Sequence, residues 1–457
     1  MLPLLAAAAI VVRGVTLIDG TGAAPRPDSS VVIREGRIAA VGNAREIEAP
    51  PGAQVLEGRG KFLVPGYTDM HAHVTYLEWK GNGRERSKGV FDRKTSEKTL
   101  KLLLAYGVTT VRNPAAPALD GVRLRDDIDN GRLVGPRIFT AGDILDTTGP
   151  FNGLTRPVST AEDVRREIAR QARIGVNYIK LHANVPPELV AVAIEEAHAR
   201  RLKVLGHLQA TSWTEAAGLE IDGLCHAADW SEQELPTGKR EAYRRDVQAR
   251  GPMKAHLTWL ESVDPKSPEI RAMVEALVRH HVAVDPTLLA SATKLRGDDR
   301  EYVVSPDLAL APAPMRASFA RLSPVRDWTA ADFRRGHAAM AKMLALVKLY
   351  FDSGVLLTVG SDEPNPWIVP GPSLHREMAL LVQAGIPRGE VLKMATSNAA
   401  KALGIEAESG TIAPGKRADL VLLSEDPTAE ISNTSDIVWV MKDGVRYDPK
   451  KLLSEAR

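Results

Sequence analysis

Eight short apolar runs recur through the middle of this 457-residue chain, separated by stretches of helical periodicity. The runs are Phe62–Asp69, Gly107–Arg112, Pro136–Ala141, Tyr178–Leu181, Val204–His207, Gly223–His226, Val282–Thr287 and Val355–Gly360. Strands that alternate with helices build a parallel sheet, and eight such units close into a (β/α)8 barrel. That barrel class gathers its chemistry at the C-terminal ends of its strands. Here those ends carry His71 and His73, Lys180, His207, His226 and Asp362.

The flanks have a different texture. Val11–Gly20 and Ser30–Ile38 are β-rich, with Glu35-Gly36 as a hairpin signal. Ala418–Leu423 and Ile437–Met441 read as strands, with a turn at Lys442–Val445. Both ends are expected to form one small composite β-sandwich domain. The expected division is 1–64 for its N-terminal part, 65–404 for the α/β TIM barrel and 405–457 for its C-terminal part. Helices are expected over Ala161–Ile174 and Pro187–Arg200. Two long connections, 230–268 and 291–330, are expected to cap a substrate pocket.

Bulk properties narrow the function. A hydrophobic content of 44% with 25% charged residues is that of a globular enzyme-sized protein, and a formal net charge of +2 gives no field for nucleic acid or an acidic membrane. No run is long enough to span a bilayer. The stretch Leu2–Val12 reads either as the remnant of a signal peptide, with Ala6–Ala8 as cleavage site, or as a first strand beginning near Ala9. A cytoplasmic and an exported location both remain open, as does a homo-oligomer. The single cysteine, Cys225, excludes an intramolecular disulfide. By strand alternation it should face away from the side that His226 faces, as a small buried core residue.

The candidate ligands fit one kind of chemistry. His71 and His73 share a face and suit one ion. Lys180 is out of character in an apolar strand. An ammonium about 4 Å from a divalent cation is repelled by about 8 kcal/mol at an effective dielectric near 20. Reaction of the neutral amine with CO2 gives a carbamate, an anion with two oxygens able to bridge two metals. Two divalent ions, with Zn2+ expected from the imidazole-rich set, then balance against the carbamate, Asp362 and a bridging hydroxide. The hydroxide is the expected nucleophile, and Asp362 the catalytic residue that moves its proton to the leaving nitrogen. His182 shares the face of Lys180 and is a candidate substrate contact. His375, after the Pro364–Pro372 loop, is another. His198, His256, His280, His281 and His337 are expected to be structural.

These motifs resemble the amidohydrolase superfamily. The resemblance rests on Pro65–His73, Gly107–Arg112, Ile179-Lys180, Gly206-His207, His226, Gly360–Asp362, Ala395–Gly404 and Gly410–Val421, and it covers nearly the whole chain. Its imidazolonepropionase-related branch includes metal-dependent dipeptidases and carboxypeptidases with a carboxylated lysine. The resemblance implies one ion on His71, His73 and Asp362, a second on His207 and His226, and modified Lys180 between them. It also implies a small-molecule amide substrate such as a dipeptide or an N-acyl amino acid. Asn113 departs from the aspartate often found there in dipeptidases and lies where such barrels line the pocket. The stretch Thr147–Phe151 lacks their histidine as well. Alternatives are a mononuclear deaminase or imidazolonepropionase-type ring hydrolase, a lactonase or phosphoester hydrolase, and a non-catalytic scaffold. The deaminase acid is absent, since Ala210 stands in its place, and the scaffold conflicts with six retained ligands.

Overall fold

The computed structural model describes residues 9–456 except 82–87 and Asp229; the Ala6–Ala8 segment lies outside the described residues. Eight parallel strands run in spatial order from Tyr67–Asp69 through Val108–Asn113, Arg137–Asp146, Tyr178–Leu181, Lys203–Gly206, Gly223–Cys225 and Ala283–Asp285 to Leu356–Leu357. This is the α/β barrel expected. Its last and first strands join just past their ends: Met70 N donates to Val359 O at 2.8 Å, Asp362 N to His71 O at 2.7 Å and His73 N to Glu363 O at 2.8 Å. The junction therefore lies among the candidate ligands themselves. A short ninth strand, Thr155–Pro157, attaches to the end of the third.

The helices follow local signals. Ala161–Ile174 starts on a Thr160–Asp163 capping box and stops at Gly175, whose φ of 98° is a left-handed cap. Pro187–His198 begins with proline in its first turn and ends slightly before the expected Arg200. The two long connections are mostly helical. The first holds Thr237–Arg250 and Pro252–Ser262, and the second Arg300–Val303 and Ala313–Leu322. Among the described residues no helix is long and apolar enough to cross a membrane.

The flanks form one eight-stranded sheet. Phe62–Pro65 lies between Ile10–Leu17, to which it is parallel, and Leu420–Leu423, to which it is antiparallel. It is continuous rather than two separate sheets, and Leu17, Ile33, Leu63, Leu420 and Trp439 share its core. Both expected hairpin turns are present: Glu35 and Gly36 have φ of 50° and 74°, Asp443 and Gly444 48° and 78°. The two tips touch, and a Cβ on Gly36 would fall 2.7 Å from Asp443 O.

Candidate metal centre

His71 and His73 leave the first barrel strand over Asp69. The Asp69 carboxylate accepts from His71 N at 3.0 Å, Ser361 N at 3.0 Å and Ser361 Oγ at 2.6 Å, which ties the ends of strands one and eight. Burial outweighs these bonds and lifts its carboxyl to about 6. Across this junction His71 Nε2 and His73 Nε2 each stand 3.4 Å from Asp362 Oδ1. Tetrahedral ligands around zinc are separated by about 3.4 Å at the usual bond lengths. His71, His226 and Asp362 present ligand atoms all within 4.8 Å of one another. His226 Nε2 and His207 Nδ1 are 2.8 Å apart. The five imidazole and carboxylate donors thus converge, and their chemistry fits a divalent cation that prefers nitrogen and oxygen. His226 and Asp362 have φ of 75° and 59°, left-handed backbone that aims both side chains back over the barrel mouth.

The surroundings fix each ring. His71 Nδ1 lies 2.5 Å from Asp285 Oδ2, and the other Asp285 oxygen binds Arg112, whose Nε donates to Met70 O at 2.8 Å. His226 Nδ1 meets Thr287 Oγ1 at 2.7 Å. His182 Nδ1 meets Asp146 Oδ2 at 3.1 Å. Such partners leave the opposite nitrogen for a ligand. Burial disfavours a charged His71, but Cys225, Asp362 and Asp285 outweigh it and raise its pKa to about 10. Burial, reinforced by neighbouring cations, pushes His207 and His226 well below the usual range, so both are neutral, the metal-binding form. Burial would raise Asp362, yet His71 and His73 hold it well below the usual carboxylate range.

Lys180 is 3% exposed, at the cavity floor, with Nζ 2.9 Å from Cys225 Sγ. This corrects one expectation. Cys225 is buried as expected, but it does not turn away from the site: its sulfur groups with His71 and Asp285 beneath the candidate ligands. The strand ends at Cys225, and the left-handed residue that follows breaks the alternation on which the expectation relied.

His182 lines the cavity, its ring centroid 4.6 Å from that of His207. Asn113 and His375 do not line it. Asn113 Nδ2 donates to Thr75 Oγ1 at 2.8 Å and Thr140 Oγ1 at 3.1 Å, below the cavity wall. His375 faces the outer side of the barrel, bonded to Thr434 Oγ1 at 2.8 Å and Tyr106 O at 3.0 Å, because its helix, Pro372–Gln383, packs there against Ile431–Ser435. His256, expected to be structural, lines the cavity stacked on Trp230 at 4.2 Å. His198 and His337 pair with Asp222 and Asp298 at 2.9 and 2.8 Å on the surface.

Asp285, Arg112, Thr287 and Asp146 were not anticipated. Asp285 ends an apolar run just as Asp362 does, and that signal was available in the sequence. The cavity above the centre measures about 1430 Å³, and both long connections contribute to it, through Trp230 and His256 from one and Leu322 and Arg326 from the other.

The amidohydrolase family pattern matches residues 62–446. The chain belongs to the amidohydrolase family. It is 25% identical over 450 residues to imidazolonepropionase of Idiomarina loihiensis, covering 96% of each chain. It is 24% identical over 440 residues to imidazolonepropionase of Agrobacterium fabrum, covering 91% of this chain and 88% of that one. The fold is similar to that of a Xaa-Pro dipeptidase solved with methionine in its active site, with a TM-score of 0.71 at 19% identity over 96% of this chain and all of the other (100%). As an amidohydrolase-family protein, the chain is a hydrolase.

Proposed function

We propose that the chain is a binuclear metal-dependent hydrolase that opens an amide C–N bond of a small molecule. His71, His73 and Asp362 would hold one divalent ion and His207 with His226 a second, with a carboxylated Lys180 between them. When bound, such ions polarise the substrate carbonyl and acidify water. Asp362 takes a proton from the attacking water and returns it to the departing nitrogen. The hydroxyl goes to the carbonyl carbon, the C–N bond breaks, and the amine leaves with the proton. His182, oriented through Nδ1 by Asp146, would donate from Nε2–H to the substrate carbonyl oxygen as the imidazolium.

The observation that carries this reading is Lys180, buried at a strand end and lining the same cavity as the four candidate imidazoles and the Asp362 carboxylate. Lys180→Ala is expected to lose activity and bound metal together, with elemental analysis falling from about two ions per chain. An active variant with two ions would overturn the bridging role. A second reading, a one-metal hydrolase of cyclic amides, is favoured by the direct 2.8 Å contact between His207 and His226 and by the imidazolonepropionase relatives. Under that reading the wild type saturates at one ion, and Lys180→Ala keeps it.

A further inference from the structure

Five of the rings that line the cavity form one continuous series, separate from the Trp230–His256 stack. From Trp79 the rings run in sequence to Phe151 at 6.0 Å between centroids, His182 at 5.4 Å, His207 at 4.6 Å and His226 at 4.4 Å. One wall thus leads without a gap from the cavity rim to the candidate ligands. Leu77, Ile144 and Leu154, which also line the cavity, join Trp79 in an apolar cluster separate from the main core, against which Phe151 packs. Trp79 is buried, yet it borders the cavity rather than the barrel interior. At about 1430 Å³ the cavity also exceeds the roughly 300–1,000 Å³ of ordinary small-molecule pockets, so a small dipeptide would leave much of it filled with water.

Direction follows from the proposed role of His182. With the carbonyl oxygen at His182 Nε2, one of the two groups on the carbonyl carbon extends toward the next ring in the series, Phe151, and then Trp79; the acyl side is assigned to that wall. We infer that the substrate is an N-acyl compound whose acyl group carries a large aromatic ring, seated along Trp79 and Phe151. This rests on the amide-hydrolase reading and narrows it to N-aroyl or N-arylacyl amides. Water adds across the C–N bond; the aryl carboxylate and the amine are the two products, with no other reactant. Ring faces in offset or edge contact favour such a group beyond its area alone.

The test uses metal-loaded enzyme with N-acetylglycine, N-benzoylglycine and N-naphthoylglycine, which differ only in the acyl group. The kcat/KM ratio of naphthoyl to acetyl is expected to be about tenfold or more, the size of a well-packed aromatic contact. Phe151→Ala and Trp79→Ala should each pull the ratio toward one, and Phe151→Leu, which keeps apolar volume without a ring face, should do so with less risk to folding. A flat series in the wild type, or ratios unchanged in folded variants, would overturn the inference. If none of the three is hydrolysed, calorimetric binding of the same compounds decides. Tighter binding of the naphthoyl compound that is lost in Phe151→Leu sustains the aryl site and removes the amide-hydrolase reading, whereas equal binding of all three removes the aryl site.

Discussion

At the residue scale the site stands on a buried chain of charges, Arg112 to Asp285 to His71, with Arg112 and Asp285 only 2% and 1% exposed. Asp285→Asn removes the charge that Arg112 was buried against. Breaking such a pair costs about 3–5 kcal/mol, because the remaining ion is left uncompensated. The urea midpoint should fall accordingly, and Arg112→Met added to Asp285→Asn should recover part of the loss. The same change replaces the carboxylate at His71 Nδ1 with a neutral amide, a weaker acceptor, so metal affinity should drop by about 10–100-fold, read by competition with a chelator. Sequence alone revealed the ligands because each ends an apolar run, a property of its immediate neighbours. It did not reveal the orientation of Cys225, which depends on one left-handed residue; Asp285 carries the same end-of-run signal as the ligands, but its pairing with His71 and Arg112, from strands far away in the chain, leaves no local trace.

Elements were legible where their ends carry local chemistry. The Ala161–Ile174 helix has its capping box and terminal glycine in sequence, and its limits were read correctly. The helix Leu288–Leu295 has no such signal. Thr287 at its start is left-handed and gives no side-chain cap. The cap comes instead from Glu377, which accepts from Leu288 N at 2.7 Å and Leu289 N at 2.6 Å. Burial raises the Glu377 carboxyl to about 8 despite those two bonds. Between its ordinary value near 4.5 and about 8 the folded protein therefore keeps a proton that the unfolded chain releases. Stability falls as pH rises through that window. Glu377→Gln keeps an acceptor for the helix and removes the titration. Its unfolding midpoint should gain on that of the wild type as pH climbs from about 5 to about 8, and a constant difference across that range would show that Glu377 does not titrate there.

On the scale of the whole molecule, the composite sheet and the barrel are one structure joined at Gly66. Phe62–Pro65 belongs to the sheet and Tyr67–Asp69 to the barrel, so a single residue carries the chain from one layer to the other. Arg137, at the start of the third barrel strand, adds ion pairs to Asp419 at 2.9 Å and Asp443 at 2.6 Å. The sequence showed that both ends are β-rich, but not that Leu420–Leu423 pairs directly with Phe62–Pro65, because register between segments so far apart is set by packing and leaves no local trace. At the junction there is no space for a side chain. A Cβ on Gly66 would lie 2.2 Å from Thr109 Oγ1, 2.5 Å from Cγ2 and 2.8 Å from Cβ. A β-branched threonine held in a strand cannot swing clear of all three. Gly66→Ala must then displace either the first barrel strand or the second, at about 1–3 kcal/mol for overpacking. Moving the first strand moves His71 and His73, which follow it directly. The variant should lose metal affinity along with stability, and Gly66→Ala combined with Thr109→Gly should restore both. If calorimetry finds metal binding unchanged in a destabilised Gly66→Ala, then the junction supports the fold without setting the position of the ligands.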